Sequence, residues 1–262
     1  MSTGHSVLIT GASTGIGATY AERFAQRGHD LVIVARDKAR LESLAQRLRD
    51  EHKVAVEVLP ADLTNPSDLA VVESRLREDM RIGVLINNAG AAQSGGILQQ
   101  TADSIERLIA LNTTSLTRLA AAVAPRFAKA GSGAIVNIGS VVGLAPEFGM
   151  SIYGATKAFV QFLSQGLSVE LAPKGVYVQA VLPAGTRTEI WERAGIDAST
   201  LSDLMDVGEL VDAALIGFDR REPVTMPPLH DVARWSALEA ARLRLLSDIQ
   251  QAHVAKRYLS AP

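Results

Sequence analysis

The feature that most constrains the fold is a regular alternation between short runs rich in Val, Ile and Leu and longer segments with helical periodicity. The strand-like runs are 6–10, 31–35, 54–59, 82–86, 133–138 and 176–182. The segments between them are amphipathic, as in 36–50, where Leu41, Leu44 and Leu48 lie on one side of a predicted helix. Strands that alternate with helices of these lengths pair in parallel and are covered on both faces. The sequence therefore predicts an α/β fold, a doubly wound parallel sheet of the Rossmann type with helices on both faces.

Beyond Pro183 the alternation becomes irregular. Helical pieces are expected over 189–218, separated by breaks at Gly195 and Gly208. No internal repeat, low-complexity tract or linker interrupts the chain. We therefore expect a single domain over 1–262.

The end of the chain predicts an edge strand and an extra C-terminal helix. The prolines within 222–227 exclude a central strand at this point. Residues 230–258 predict one helix with an apolar stripe. The stripe consists of Val232, Trp235, Leu238, Ala241, Leu245 and Ile249. Such a stripe favours core packing or an oligomer contact over a cofactor surface. As a separate expectation, the protein forms a homodimer or homotetramer.

Composition excludes several classes of function. The formal net charge is -2 and no long Lys/Arg cluster occurs, so we expect no nucleic-acid partner. The absence of cysteine excludes disulfides, a thiol nucleophile and Cys-ligated metals, and the histidines lack the paired spacing of metal ligands, so no metal is expected. No apolar run reaches the roughly 20 residues of a membrane span. Met1 to His5 lack the basic start of a signal peptide, so we expect a cytoplasmic protein without a membrane partner.

A glycine-rich turn follows the first strand and opens the first helix. Its sequence is Thr10-Gly11-Ala12-Ser13-Thr14-Gly15-Ile16-Gly17. Glycines allow a tight turn and the close approach of a pyrophosphate, and the helix N-terminus supplies free N–H groups. The G-x-x-x-G-x-G spacing differs from the commoner G-x-G-x-x-G, and a turn without a ligand is the alternative. We expect dinucleotide contacts from Gly11, Ser13, Thr14, Gly15, Ile16 and Gly17.

The residue that follows the second strand bears on the choice of cofactor. A carboxylate at this point accepts ribose hydroxyls in NAD sites, whereas an arginine accommodates a 2′-phosphate. The strand ends in Ala35 and Arg36, which favours NADP(H) over NAD(H). Two alternatives stay open, because Asp37 either neutralises Arg36 or binds ribose itself, and because Arg36 is also suited to a solvated helix start.

Two further strands also end in polar residues. Asn87-Asn88-Ala89-Gly90 ends the fourth predicted strand, and Gly139-Ser140 ends the fifth. The carboxyl edge of an open α/β sheet is where ligands bind. The hydroxyl of Ser140 is able to donate a hydrogen bond to a carbonyl oxygen that gains charge. Each cluster alone is also compatible with ordinary turn chemistry.

The predicted helix over 151–171 carries Tyr153 and Lys157, four positions apart. At this spacing both side chains project from one face, roughly 6 Å apart at Cβ. A free tyrosine has a pKa of about 10. A cation held close to the phenolate favours the ionised form and lowers that pKa toward the working range. The pair therefore predicts a tyrosine that exchanges protons, with an incidental surface pair as the alternative.

Taken together, these motifs resemble the short-chain dehydrogenase/reductase family over about residues 6–190. The matching residues are Thr10 to Gly17, Asn87 to Gly90, Asn112, Ser140, Tyr153 and Lys157. The resemblance implies a Rossmann-type fold that binds NAD(P)(H) and an oxidoreductase acting on alcohols, ketones or aldehydes.

The resemblance assigns a role to each member of the catalytic set. Tyr153 would be the general acid/base, and Ser140 would polarise the substrate carbonyl. Lys157 would bind the nicotinamide ribose and lower the pKa of Tyr153. Asn112 would hold a water in the proton relay. An asparagine within a helix is locally unfavourable, which fits a functional kink, and an exposed side chain is the alternative.

Further cofactor contacts are implied by the same resemblance. They comprise Asp62, Leu63, Asn88, Ala89, Gly90, Tyr153, Lys157, Pro183, Gly185, Thr186 and Thr188. Asp62 would contact adenine, and Thr188 would hold the carboxamide. The chain departs from the family pattern at Ala184, where the family has glycine directly after proline, and it lacks the glycine-rich ending near the last strand.

The predicted substrate pocket is apolar. It would be lined by Ser140, Val142, Phe148, Tyr153 and Trp191, with further wall residues at Val141, Leu144, Pro146, Met150 and Ile190. Residues 187–221 would form a helical segment on the substrate side. No clustered Arg or Lys faces these residues, so the expected substrate is an uncharged, hydrophobic carbonyl or alcohol compound. Reduction of carrier-bound 3-oxoacyl groups and a non-catalytic NAD(P)-sensing role are the alternatives.

Overall fold

The computed structural model describes residues 5–93 and 95–259. Residues 1–4, which carry most of the signal-peptide prediction, lie outside the described residues, as do Ser94 and 260–262 of the predicted domain. The chain divides into two compact units, one before and one after the peptide bond between Pro227 and Pro228. No described helix is both long enough and apolar enough to cross a membrane.

The first unit contains a parallel sheet. Within the described residues seven strands pair in the order β3-β2-β1-β4-β5-β6-β7. They are β1 (Ser6–Thr10), β2 (Leu31–Ala35), β3 (Val56–Pro60), β4 (Ile82–Asn87), β5 (Ala134–Ile138), β6 (Tyr177–Val181) and β7 (Val224–Thr225). The strand order reverses at β1, which lies between β2 and β4, and such a reversal opens a crevice at the carboxyl ends of the strands. The predicted α/β fold is confirmed.

Helices cover both faces of this sheet. They are α1 (Gly15–Gln26), α2 (Lys38–His52), α3 (Pro66–Glu78), α4 (Ala102–Ile109), α5 (Leu116–Ala130), α6 (Ser151–Leu171), α7 (Ile190–Arg193) and α8 (Val207–Asp219). Successive residues of a strand point to opposite faces, so Val7 and Ile9 pack with α1, α2 and α8, whereas Leu8 packs with α3 and α5. Apolar runs buried on both faces are typical of a parallel sheet.

The segment that follows β6 differs from its prediction. The predicted break at Gly208 is wrong, because Gly208 lies in the first turn of α8, where Asp206 caps the helix through its carboxylate. Leu210, Val211 and Ala214 are fully buried in the core. The second half of the predicted substrate-side segment 187–221 is therefore a core helix.

The second unit contains α9 (Val232–Ile249), which is shorter than the predicted 230–258. A short 3-10 turn over Lys256–Tyr258 follows it. Asp231 caps the helix by accepting a hydrogen bond from the N–H of Ala233. All residues of α9 are described and none is buried, so core packing is not the role of its apolar stripe.

A buried chain of amides joins the sheet to α6. Nδ2 of Asn87 donates to Oδ1 of Asn137 at 3.0 Å, and Nδ2 of Asn137 donates to the hydroxyl of Ser164 at 2.9 Å. Nδ2 of Asn87 also donates to the carbonyl oxygen of Leu116 at 3.3 Å. Buried polar groups are costly unless they are paired. These contacts therefore fix β4 and β5 relative to α5 and α6.

The role of this chain is tested by Asn137→Ala. We expect a loss of about 1–3 kcal/mol in the free energy of unfolding, because the substitution removes one hydrogen-bond partner from each of the buried side chains of Asn87 and Ser164. Urea unfolding followed by circular dichroism measures the change. Gln46→Ala, on an exposed face of α2, is the matched control and should change stability by less than about 0.5 kcal/mol. Equal effects from the two variants would contradict this role.

Candidate active site

The glycine-rich turn between β1 and α1 brings the backbone close to the end of β4. Gly11 and Gly15 have φ angles of +66° and +56°, which residues with a Cβ rarely adopt. A Cβ at Gly11 would lie 2.8 Å from Nδ2 of Asn88 and 2.9 Å from Cα of Ala89. A Cβ at Gly17 would collide with the carbonyl oxygen of Gly11. The glycines therefore set how closely the turn, α1 and the end of β4 approach one another.

Asn88 and Thr10 hold this turn in place. Nδ2 of Asn88 donates to the carbonyl oxygens of Thr10 at 2.9 Å and of Gly11 at 3.2 Å. The hydroxyl of Thr10 accepts from the backbone N–H groups of Asn88 and Ala89, both at 3.0 Å. Asn88 thus shapes this edge of the sheet by fixing the turn.

The start of α1 fits the pyrophosphate of a dinucleotide. Its N-cap residue Thr14 makes no side-chain capping hydrogen bond, so that side chain does not satisfy the first backbone N–H groups. Ser13 precedes this residue, Ile16 lies two positions after it, and both are half-buried. A Cβ at Gly15 would lie 3.1 Å from Cγ2 of Thr188, so the loop after β6 reaches the same turn. Close backbone approach and uncapped N–H groups are the features that an anion needs.

On α6, Tyr153 and Lys157 lie close together, as their spacing predicts. Nζ of Lys157 is 5.7 Å from the centroid of the Tyr153 ring. It donates a hydrogen bond of 2.9 Å to the carbonyl oxygen of Ile138, at the end of β5. A Cβ at Gly90 would lie 3.6 Å from Nζ of Lys157 and 3.3 Å from Oδ1 of Asn112. The pair therefore lies at the carboxyl ends of β4 and β5.

Burial is the main cause of the pKa shifts of Tyr153 and Lys157. It raises the pKa of Tyr153 to about 12, against a hydrogen bond with Ser140 that lowers it. It also lowers the pKa of Lys157 to about 8. The predicted lowering of the Tyr153 pKa by Lys157 is not found, because removal of the phenolate from water outweighs the contacts that favour it.

Asn112 lies in a π-helical segment, Ala110–Ser115, between α4 and α5. The predicted departure from regular helix is present, and the side chain is buried rather than exposed. Nδ2 of Asn112 donates to the carbonyl oxygen of Ala91 at 2.9 Å and to the hydroxyl of Thr156 at 3.1 Å. Oδ1 accepts from the N–H of Ala91 at 2.9 Å. Asn112 thus connects the loop after β4 with α6, beside Tyr153.

Ser140 follows β5 and is buried. Its hydroxyl oxygen accepts from the N–H of Val142 at 3.2 Å, which caps a short 3-10 turn over Val141–Leu144. The same hydroxyl lies 3.4 Å from the carbonyl oxygen of Pro183 and forms the hydrogen bond with Tyr153. The two hydroxyl groups predicted to contact a substrate oxygen are therefore neighbours.

Arg36 is exposed at the end of β2. Asp37 caps α2 by accepting from the N–H of Arg40 at 3.0 Å, and its carboxylate lies 3.4 Å from Nε of Arg40. Among the described residues Arg36 forms no ion pair. Asp37 is thus engaged by α2, which argues against neutralisation of Arg36.

Asp62 follows the end of β3 and lies near Arg36. Its carboxylate accepts from the N–H of Thr64 at 2.9 Å and from the hydroxyl of Thr64 at 2.7 Å. Burial alone would raise the pKa of Asp62, but these hydrogen bonds and the positive charge of Arg36 lower it. The adjacent Leu63 is buried. Arg36 and Asp62 are therefore close enough to interact electrostatically, as a shared adenosine site requires.

The loop after β6 is closed on itself by hydrogen bonds. The hydroxyl of Thr186 donates to the carbonyl oxygen of Ala184 at 2.9 Å, and Nε1 of Trp191 donates to the carbonyl oxygen of Thr186 at 2.7 Å. The carbonyl oxygen of Gly185 accepts from the N–H of Met205 at 2.9 Å. The carbonyl oxygen of Pro183 is held by the N–H of Val141 at 2.9 Å. An ordered turn thus forms despite Ala184.

The predicted substrate-binding residues differ in their exposure to solvent. Val142 and Trp191 are half-buried. The side chain of Phe148 is 57% exposed, in a short 3-10 turn over Pro146–Phe148. Val142 and Ser140 belong to one turn, whereas Phe148 extends into solvent.

Two features of the site were not found from the sequence. Thr156 accepts from Asn112 and donates to the carbonyl oxygen of Tyr153 at 2.7 Å, yet threonine within a helix gives no signal of such a contact. Glu189 pairs with Arg40 at 2.7 Å and with Arg193 at 2.8 Å. The pair with Arg40 ties the loop after β6 to α2 and joins positions 149 residues apart in the sequence.

A separate charged cluster lies on the outer side of α1 and α2. Ligand atoms of Glu22, Glu51 and His52 lie within 4.8 Å of one another. Nε2 of His52 contacts Glu22 at 2.7 Å, and Arg47 contacts Glu22 at 2.5 Å. Arg47 also contacts Glu51 at 3.0 Å, so both carboxylates are paired with one arginine.

Comparison with known proteins places this geometry in a family. A family model described as short chain dehydrogenase matches residues 5–198. The chain is 33% identical over 193 residues to the very-long-chain 3-oxoacyl-CoA reductase-B of Danio rerio. That match covers 72% of this chain and 62% of the zebrafish protein, so the chain spans less than two thirds of this relative's length.

Solved structures match over nearly the whole chain. A short-chain dehydrogenase from Sphingobium yanoikuyae in complex with NADPH is 76% identical, with a TM-score of 0.96, and the match covers 97% of this chain and 99% of that one. The bulky-bulky ketone specific alcohol dehydrogenase from Comamonas testosteroni is 66% identical, with a TM-score of 0.92, and covers 98% of this chain and 99% of that one.

The buried ammonium of Lys157 is expected to make the stability of the protein depend on pH. The pKa of Lys157 is lowered from 10.5 to about 8 in the folded protein, so the unfolded chain binds more protons between these values. Stability due to this group therefore rises as pH increases from about 8 to 10 and is lowest below 8. We expect Lys157→Met to remove a rise of about 2 kcal/mol in the free energy of unfolding across this range.

Urea unfolding at pH 8, 9 and 10 measures this difference. The raised pKa of Tyr153 contributes to the pH dependence of both proteins, so the lysine is assessed from the difference between the unmodified protein and Lys157→Met. Lys129→Met, at an exposed site in α5, is the matched control and should reproduce the dependence of the unmodified protein. Identical pH dependences for the unmodified protein and Lys157→Met would contradict a charged group buried at this position.

Proposed function

Because the chain belongs to the short-chain dehydrogenase family, we propose that it is an NADP(H)-dependent oxidoreductase that interconverts an alcohol and a ketone or aldehyde. The observation that carries this proposal is the convergence of buried Tyr153, Ser140 and Lys157 at the carboxyl ends of β4 and β5. Asn112 completes the set through Thr156. A role limited to sensing NAD(P) would not require these four side chains together.

The cofactor would supply a hydride to the substrate carbon during reduction and accept it during oxidation. Ser140 and Tyr153 would both donate hydrogen bonds to the substrate oxygen as negative charge develops on it. The proton of the Tyr153 hydroxyl then moves to that oxygen, and the O–H bond of the product forms. The phenolate that remains is stabilised by the ammonium of Lys157.

The relative acidities indicate how Tyr153 recovers its proton. With a pKa of about 8, Lys157 is a stronger acid than Tyr153, whose pKa is about 12. Lys157 is therefore the proposed source of the proton that returns to the phenolate. Lys157 would be reprotonated from solvent, and Asn112 fixes the loop at Ala91 beside this route. A water held by Asn112 is the proposed last member of the relay.

NADPH is the proposed reduced cofactor. Arg36 follows β2 and forms no salt bridge within the described part of the chain, and its guanidinium is suited to a 2′-phosphate. The similar Sphingobium dehydrogenase was solved in complex with NADPH. Gly11, Gly15 and the start of α1 would hold the pyrophosphate.

The proposed substrate is an uncharged ketone with hydrophobic substituents, or the corresponding alcohol. Val142 offers apolar surface in the same turn as Ser140, and Trp191 offers its ring from α7, where its indole N–H is already bound to Thr186. The similar Comamonas enzyme is specific for bulky-bulky ketones. We therefore place ketones with two large substituents first in a substrate panel. A cytoplasmic location is part of the same proposal.

Reduction of 3-oxoacyl thioesters is a second candidate. It is favoured by the 33% identity to the zebrafish 3-oxoacyl-CoA reductase. A carrier or CoA thioester brings anionic groups to the site, whereas the side chains beside Ser140 are apolar. NADPH consumption with a 3-oxoacyl-CoA and with a diaryl ketone, measured side by side, distinguishes the two.

Tyr153→Phe tests the assigned acid. We expect kcat to fall by about 10²- to 10⁴-fold, because the variant has no proton to donate, while NADPH affinity is kept. Turnover is measured by the absorbance of the reduced nicotinamide, and binding by its fluorescence. Tyr20→Phe is the matched control, since the buried Tyr20 hydroxyl has no hydrogen-bond partner in the described structure. Full turnover by Tyr153→Phe would refute the role.

Arg36→Leu tests cofactor choice. We expect the Kd for NADPH to rise at least ~tenfold, because one charge-assisted contact to phosphate contributes more than the ~1.4 kcal/mol that a tenfold change requires. The Kd for NADH should be unchanged. Lys129→Leu serves as the control for loss of a surface charge. Equal losses of affinity for both cofactors would show that Arg36 does not bind the 2′-phosphate.

A further inference from the structure

The helix α9 presents a large apolar surface to solvent. Its exposed fractions are 70% for Val232, 51% for Leu238 and 70% for Ile249. Leu243, Leu245 and Leu246 are each between 44% and 55% exposed. Contiguous apolar surface of this kind marks an interaction site. An 18-residue helix also depends on packing for most of its stability.

The spacing on this face is that of a coiled coil. Six positions recur at intervals of three and four residues, which places them along one seam. They are Val232, Trp235, Glu239, Arg242, Leu246 and Ile249. Leu238, Leu243 and Leu245 flank the seam. The charged Arg234, Arg244 and Asp248 lie on the other side of the helix, so they stay in solvent when the seam is covered.

The seam has a similar order of residue types when followed from either end. Its outer positions are aliphatic, with Val232 at one end and Ile249 at the other. The next positions inward are the large apolar Trp235 and Leu246, and the two central positions carry Glu239 and Arg242. The central pair is an ion pair of 2.9 Å within the helix. A sequence of this symmetry is complementary to a second copy of itself in the antiparallel direction.

We propose that α9 pairs antiparallel with α9 of a second copy of this chain. Glu239 of each copy then lies opposite Arg242 of the other, so the centre of the interface contains two compensated charge pairs. Trp235 faces Leu246, and Val232 faces Ile249, across the two-fold axis. Such an interface is isologous, which is the commonest arrangement in homo-oligomers.

Charge selects this arrangement over the alternatives. In a parallel pair, Glu239 would lie opposite Glu239 and Arg242 opposite Arg242, and like charges across a helix interface are destabilising. A shift of one heptad in the antiparallel pair would place both charges against Leu246 and Ile249. The buried charges would then have no partner on the other helix, which is costly.

Charge reversal tests whether the pairing is between copies. Glu239→Arg and Arg242→Glu each place like charges at the centre of the interface. We expect either variant to have half the assembly mass of the unmodified protein in analytical ultracentrifugation. An equimolar mixture of the two should regain the full mass, because the arginine introduced in one variant then meets the glutamate introduced in the other. Unchanged masses for the single variants, or no recovery on mixing, would overturn the proposal.

Arg244→Glu is the matched control, since it makes the same charge change on the opposite side of α9 and should keep the full mass. Far-UV circular dichroism of each variant checks that the first unit stays folded. A mass loss with Arg244→Glu equal to that of Arg242→Glu would show that net charge, rather than the seam, controls assembly and would overturn the proposal.

Cysteine cross-linking tests the orientation, because the chain contains no cysteine of its own. Val232→Cys and Ile249→Cys are made separately in the full chain, mixed and oxidised. In the antiparallel pair the two different cysteines face each other, whereas like cysteines are about 26 Å apart along the helix axis and cannot form a disulfide. A disulfide between positions 232 and 249 is expected. Disulfides only between identical positions would overturn the proposal.

Discussion

The interaction on which the site depends is the hydrogen bond between the Lys157 ammonium and the carbonyl oxygen of Ile138. A buried ammonium is costly unless its hydrogen bonds are made. The contact therefore fixes α6 against the end of β5, and Ser140 follows two residues later. Because Tyr153 is one helical turn before Lys157, the same contact places its hydroxyl beside Ser140. One hydrogen bond thus sets the positions of three side chains of the candidate site.

Polar contacts at other strand ends also fix the positions of residues in the site. Asn88 fixes the glycine turn after β1, and Asn112 connects the loop after β4 with Thr156 on α6. Ala91 uses both its N–H and its carbonyl oxygen in the contact with Asn112. These groups are buried or half-buried, so each would destabilise the protein if it were unpaired. Stability and the geometry of the site are therefore maintained by the same hydrogen bonds.

Much of this arrangement could be predicted from the sequence, since strand and helix periods are local properties. The parallel sheet and the placement of Ser140 and Tyr153 at its carboxyl edge follow from them. The role of α8 could not be predicted, because Gly208 resembles a helix break until the Asp206 cap is seen. Thr156 and Glu189 were missed for another reason: their partners are distant in sequence, and no residue pattern encodes such contacts.

The acidity of Tyr153 shows where reasoning from spacing alone fails. The four-residue interval correctly brings a cation near the phenol, but the same interval carries no information about burial. In this site burial acts on both groups in opposite directions, raising the pKa of Tyr153 and lowering that of Lys157. A neutral phenol suits a proton donor, and a lysine with a pKa of about 8 is mostly protonated at neutral pH and more acidic than an ordinary lysine. In the proposed reaction, the low dielectric environment thus keeps the phenol neutral and able to donate its proton to a carbonyl oxygen.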